Sequence, residues 1–414
     1  MKINKIIARQ VLDSRGNPTI ETEVFSGKFS GKAIVPSGAS TGKYEALELR
    51  DKGKAFHGMS VFKAVNNVNS IISKSLINKS FSSQNEVDNL LIKLDNTENK
   101  SNLGANSILS VSLAFSRCFA ESKNKELYET LGKKFVIPIP FSNVINGGKH
   151  ADDDLKIQEF MIVPIGAKSF SQAVQMVSEV YHTLKQDIET KFGRNKSNVG
   201  DEGGFAPPLK SSVDALDLIS KAIDENGYSK EIKFALDCAA SEFFDNTNYN
   251  IETELNLSGD KLIDYYSKLL KSYPIISIED PFDQDDFESF KIFNRKFGRK
   301  IRIIGDDLLV SNNMRIELAI KNKLCNSLLL KVNQIGSLSE ALSASSLAFK
   351  SKWDVMVSHR SGESEDSFIS DLAVGLGCGL IKVGSPRGSE RTCKYNRLLY
   401  IEELLGKKAK FAQI

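Results

Sequence analysis

The sequence predicts an α/β protein: a C-terminal eight-stranded β/α (TIM-like) barrel behind a smaller N-terminal α+β domain. Three observations carry this expectation. From residue 133 onward, short apolar runs alternate with helix-length segments; six of these runs end in a charged or imidazole side chain; the first 132 residues lack that rhythm. The expected domains are 1–132, an N-terminal capping unit, and 133–414, the barrel.

In the first domain Ile20, Thr22 and Val24 alternate with Glu21 and Glu23, which is the period of a half-buried strand. Ser26-Gly27-Lys28 reads as a hairpin turn, and Lys32 to Val35 resumes a strand. Gly104-Ala105-Asn106-Ser107 then precedes Ile108, Val111, Phe115, Cys118 and Phe119, spaced as on a largely buried helix. Pro138 and Pro140, next to extended Phe135-Val136-Ile137, mark the passage to the second domain.

There, Phe234-Ala235-Leu236 ends at Asp237, Ile275 to Ile278 at Glu279, and Ile301 to Ile304 leads to Asp306. Leu328 to Leu330 ends at Lys331, Val355 to Val357 leads to His359, and Leu380-Ile381 ends at Lys382. The intervals run from 23 to 42 residues, near the roughly 30 of a βα unit. Near-continuous apolar strands suit a parallel sheet covered by helices. Strands at Phe141–Ile145 and Phe160–Val163 bring the number to eight. A charge ending one strand needs no function, since strands end at solvent; six in succession point to the carboxyl-end mouth where barrel loops converge.

Composition excludes other classes. With 41% hydrophobic residues, 26% charged residues and only 10 Pro in 414, the chain is not collagenous, disordered or coiled-coil. Fifty-five Lys+Arg against 52 Asp+Glu gives +3, so neither nucleic-acid binding nor membrane insertion is indicated. The five cysteines include no Cys-x-x-Cys, the N-terminus lacks a signal-type apolar run, and the apolar stretch Leu372 to Ile381 is too short to span a bilayer. A soluble, cytoplasmic protein is expected. Gly38 to Lys43 lacks the P-loop spacing, and Gly375 to Gly379 lacks that of a dinucleotide fingerprint; the latter is expected to let a helix pack closely on the sheet.

Asp237, Glu279 and Asp306 offer only carboxylate oxygens, which favours a hard cation such as Mg²⁺ over Zn²⁺. Lys331 and Lys382 divide two roles: a base whose neutral form is favoured by nearby positive charge, and a partner for acids or phosphate. The glycine-rich loop Gly200 to Pro208 brings Glu202 into reach as a general acid, with Gln158 and Glu159 as polar company; a solvated loop acid is the other reading. Two neighbouring carboxylates tend to share a proton. His150 and His359 stand at mouth positions, and Arg360 with Ser361 suits phosphate. His182 reads as structural, and His57 receives no role.

These segments resemble enolase (phosphopyruvate hydratase), of bacterial type. The resemblance runs through Asp13 to Thr19, Pro36 to Gly42, Gly147 to Met161, Gly200 to Pro207, Ser277 to Pro281, Gly305 to Asp307, Lys331 to Gly336 and Ser358 to Glu363. It implies a hydro-lyase that reversibly dehydrates 2-phospho-D-glycerate to phosphoenolpyruvate. By resemblance, Lys331 removes the C2 proton and Glu202 protonates the departing C3 hydroxyl, with Glu159 and His359 as further catalytic groups. Gln158, Arg360, Ser361, Lys382 and His150 then match substrate-binding positions, which Lys331 also lines. Asp237, Glu279 and Asp306 match the ligands of a first Mg²⁺. Ser40, in the loop Ser37–Gly42, matches a ligand of a second that arrives with substrate.

The family also implies a homodimer or an oligomer of dimers. Arg9 and Glu390 match one intersubunit pair, whereas Tyr400 stands where an arginine facing the acid at Glu21 is usual. A cell-surface or secreted fraction is implied by resemblance only, and the ending Ala412-Gln413-Ile414 lacks the terminal lysine used in plasminogen binding.

Overall fold

The computed structural model describes residues 1–39, 42–151, 155–252 and 254–414; Ser40 lies outside the described residues. Strands β1 (Lys5–Leu12), β2 (Pro18–Ser26) and β3 (Phe29–Ile34) form an antiparallel meander, and the turn between β2 and β3 places Gly27 at φ +60°. The expected third strand therefore starts earlier, at Phe29. Thr22 meets Ser110 of the helix Ala105–Ser122 through a 2.7 Å hydroxyl contact, so the Ile20/Thr22/Val24 face packs on that helix. Gly31 sits opposite Val24, and a Cβ there would fall 2.2 Å from Ala114 O; only glycine permits this approach.

The second unit is a closed barrel of β4 (Ile139–Asn146), β5 (Glu159–Val163), β6 (Lys233–Asp237), β9 (Ile275–Glu279), β10 (Arg302–Gly305), β11 (Ser327–Leu330), β12 (Asp354–Ser358) and β13 (Leu380–Lys382). A small ribbon, β7 (Tyr249–Ile251) and β8 (Glu254–Leu257), stands apart. All eight expected barrel strands form. The sheet is not wholly parallel, however: β5 runs antiparallel to both β4 and β6. Among the described residues no α-helix separates β4 from β5, and without a crossover the chain returns as a hairpin. This reversal puts the amino end of β5 at the mouth, which is how Gln158 and Glu159 reach it.

Ile139, Phe141, Met161, Val163, Ala235, Ile304, Leu329, Met356 and Leu380 fill the barrel, with Ala412 packed against them. The N-terminal unit is tied to the barrel by buried polar contacts: Ser112 Oγ accepts from Leu338 N (3.0 Å), Asp88 from Ser339 N (2.8 Å), and Arg117 pairs with Asp366 (2.7 Å). Backbone bonds between Ser37 and Gly362, 2.8 Å each way, lay the segment before Ser40 against the loop after β12. Gly375 packs differently from the expectation. A Cβ there would meet Leu131 and Tyr128 O at 2.7 and 2.8 Å, so the glycine admits the short helix Tyr128–Leu131 rather than the sheet.

Candidate active site

At the mouth, Lys382 extends from the end of β13 into a ring of acids. Its Nζ donates to Asp237 (2.8 Å) and to both oxygens of Glu279 (2.9 and 3.0 Å), and stands 3.0 Å from Glu159. Register makes this possible, since Glu159, Asp237 and Glu279 sit side by side on β5, β6 and β9. Burial opposes charge on Lys382, but these acids outweigh it and hold the ammonium well above the usual lysine range. Lys331 does the same with Asp306, and its affinity for the proton is also raised despite burial. The lysine base expected from sequence therefore stands charged here, because Asp306 faces it.

Asp306 accepts from Gln334 (2.8 Å), while Asp280 accepts from the backbone N–H of Asp306 (2.9 Å) and Asp307 (2.6 Å). Burial and the neighbouring acids push Asp307 up to about 8, and Asp280 and Glu279 well above the usual carboxylate range. Buried negative charge thus exceeds what the two lysines supply. Asp237, Glu279 and Asp306 are oxygen donors on successive strands, a set that fits a hard divalent cation. Ligand atoms of Asp280, Asp306 and Asp307, and those of His150, Glu159 and Glu202, also lie within 4.8 Å of one another in each group, so the mouth has metal-binding character.

Across the mouth, the loop after Gly200 carries Glu202. A Cβ on Gly200 would lie 2.1 Å from His150 O, so glycine is required for the loop to lie this close. Glu202 Oε2 accepts from Asn143 (3.3 Å) and stands 3.1 Å from His359 Nε2; Oε1 lies 3.7 Å from His150 Nδ1. Burial and the charge of Glu202 raise Glu159 well above its normal range. Burial also acts against charge on Glu202, yet the histidines and Lys382 prevail and hold it low. The two neighbouring carboxyls are thus shifted in opposite directions, Glu159 upward and Glu202 downward. Burial lowers His359 to about 4 and also lowers His150.

Unpartnered buried polar atoms gather here: Asn143 Oδ1, His150 Nδ1, Gln158 Oε1, Glu159 Oε2 and His359 Nε2. Each costs free energy unless a ligand completes it. A cavity of about 790 Å³, lined by Lys149, His150, Asn198, Gly200 and Asp201, adjoins them.

The structure brings Gln158 to 3.5 Å from Asp237. Arg360 faces Glu45 (3.1 and 3.2 Å) and Asn333 (2.9 Å), and Ser361 Oγ accepts from Ala39 N (2.6 Å). Sequence reasoning gave no role to Glu45, Asn143, Asp280, Asp307, Gln334 or Arg391. The doubled acids Glu279-Asp280 and Asp306-Asp307 carried a signal; Glu45 and Arg391, far from these motifs in sequence, carried none. Of the expected intersubunit residues, Arg9 engages Glu21 and lies 3.6 Å from Glu23, and Tyr400 is exposed beneath Arg397.

Comparison with known proteins places the chain in a family. Residues 3–131 match the family model "Enolase, N-terminal domain", and residues 134–414 match "Enolase, C-terminal TIM barrel domain". The chain is 54% identical over 408 residues to the enolase of Methanocaldococcus jannaschii, covering 98% of this chain and 96% of that one. It is 53% identical over 410 residues to the enolase of Thermococcus gammatolerans (98% and 95%), and 52% identical over 417 residues to that of Methanosarcina acetivorans (100% and 97%). These relatives are archaeal, which corrects the bacterial type expected from sequence. The motifs that carried the resemblance answer to the chemistry of the site, so they do not report lineage. The chain belongs to the enolase family, and to its archaeal rather than bacterial type.

Proposed function

We propose that, in the reversible dehydration of 2-phospho-D-glycerate to phosphoenolpyruvate that this hydro-lyase catalyses, Lys331 is the base, Glu202 the acid and Mg²⁺ the cofactor. The observation that carries this reading is the opposition of two buried groups across one mouth: Lys331 and Lys382 among carboxylates on one side, Glu202 between two histidines on the other. Asp237, Glu279 and Asp306 would hold a first Mg²⁺, and Ser40 a second. Bound there, the cations supply positive charge against the carboxylate and phosphate of the substrate.

Lys331 takes the C2 proton once its contact with Asp306 loosens, and Lys382 remains charged beside the growing carbanion. Glu202 gives a proton to the C3 hydroxyl; the C3–O bond breaks, water leaves and the C2=C3 bond forms. Glu159, beside Glu202, passes it the proton that it delivers, and His359 orients it. Gln158, His150, Arg360 and Ser361 bind substrate, the last two at phosphate.

The division into 1–132 and 133–414, a homodimer using Arg9 and Glu390, and a cytoplasmic location belong to the same proposal. Among the described residues no helix is long and apolar enough to cross a membrane. The test is the absorbance of phosphoenolpyruvate formed from 2-phosphoglycerate. Wild type is expected to be active with Mg²⁺ and silent without it, and Lys331→Ala to lose activity. An inactive wild type with Mg²⁺ contradicts the assignment.

A further inference from the structure

We infer that Arg391 fixes the tautomer of His359, keeping the proton on Nε2 toward Glu202, and is thereby a positioning residue for the acid half of the reaction. This rests on the reading of Glu202 as the acid, but the tautomer is measurable without it.

Arg391 lies in the first turn of the helix Ser389–Leu405 and is fully buried. One terminal nitrogen donates to Arg360 O (2.6 Å) and lies 2.9 Å from His359 Nδ1; the other donates to Ser361 O (2.7 Å) and Asp201 O (3.0 Å). These partners use the four N–H groups of the two terminal nitrogens. A guanidinium has donors and no acceptor, so a ring nitrogen at 2.9 Å must present its lone pair. A neutral imidazole with bare Nδ1 carries its hydrogen on Nε2. Imidazolium would set an N–H against the guanidinium, and a turned ring would set a C–H there.

Little room is left for the ring to turn. A Cβ on Gly384 (φ +73°) would fall 2.8 Å from His359 Cε1 and 3.0 Å from Arg391 Cδ, so the backbone closes on the pair from one side. The Nε2 hydrogen then lies on the side of Glu202 Oε2, 3.1 Å away; the contact falls short of hydrogen-bond alignment in this arrangement. Asn143 also donates to that oxygen. With the Asn143 N–H bonded to Oε2 and the Nε2 hydrogen facing it, an acidic proton on Glu202 belongs on Oε1, the oxygen nearer His150. The guanidinium therefore acts through the ring to select which oxygen delivers the proton, while touching neither Glu202 nor substrate.

The test is nitrogen NMR of the full chain labelled at histidine, with His359 assigned by loss of its signals in His359→Gln. The expected wild-type spectrum shows bare Nδ1 and protonated Nε2 at neutral pH. Arg391→Met is expected to mix or reverse the tautomers and to slow dehydration at least about tenfold, part of the roughly 10²–10⁴ that a positioned acid supplies, while C2 proton exchange is retained. Arg391→Lys, which still only donates, is expected to restore the tautomer. A protonated Nδ1 in the wild type overturns the inference, and so does an unchanged tautomer in a folded Arg391→Met. If that variant does not fold, the wild-type spectrum alone decides. A correct tautomer combined with equal loss of exchange and dehydration in Glu202→Gln would refute the acid assignment and leave the tautomer inference standing.

Discussion

The ammonium of Lys382 lies within 3.0 Å of both carboxylate oxygens of Glu279, and its charge opposes the burial and neighbouring acids that raise that carboxyl. Removing one partner of such a buried pair leaves the other uncompensated, at a cost of about 3–5 kcal/mol. Lys382→Met is therefore expected to lower stability by that order in chemical denaturation. Mg²⁺ should raise its melting temperature more than that of the wild type, since the cation then meets acids that have lost one of their two lysine counter-charges. An equal Mg²⁺ shift in both proteins contradicts the pairing.

Asp366 gives a prediction in pH. Burial acts to raise its carboxyl, but Arg117 and the backbone N–H groups of Ile34 and Phe368 overcome this and hold it below the usual carboxylate range. A depressed folded-state value contributes stability above the unfolded value of about 3.9 and loses it as pH falls through the folded one. Asp366→Asn should accordingly be less stable than wild type at neutral pH. The gap should narrow progressively below about pH 4 in urea titrations. A gap independent of pH is the contrary result.

At the seam between the units, a Cβ on Gly132 would lie 1.7 Å from Gly375 O. Backbone cannot yield as a flexible side chain can, so Gly132→Ala is expected to cost at least the ~1–3 kcal/mol of ordinary overpacking. Thermal unfolding checks this, and an unchanged midpoint would show that the two segments are not held in contact.

Most of the barrel was legible because its evidence is local: apolar runs, their spacing, and a polar residue at each end. The direction of β5 was not, since Phe160 to Val163 reads alike either way and direction depends on what connects the strands. In the site, residue types at strand ends pointed to Asp237, Glu279, Asp306, Lys331 and Lys382, but not to which charges meet. That Lys331 faces Asp306, and that Glu159 and Glu202 are shifted in opposite directions, follow from three-dimensional placement. Arg391 was invisible for the same reason: its partners come from the loops around Asp201 and Arg360, remote in sequence.

The division of labour between Lys331 and Glu202 is tested most directly by C2 hydrogen exchange of 2-phosphoglycerate with solvent, followed by NMR in deuterium oxide beside the dehydration rate. Glu202→Gln should retain exchange while dehydration falls by about 10²–10⁴, because the base still works and the acid does not. Exchange and dehydration falling together in Glu202→Gln, or exchange surviving in Lys331→Ala, would contradict the account.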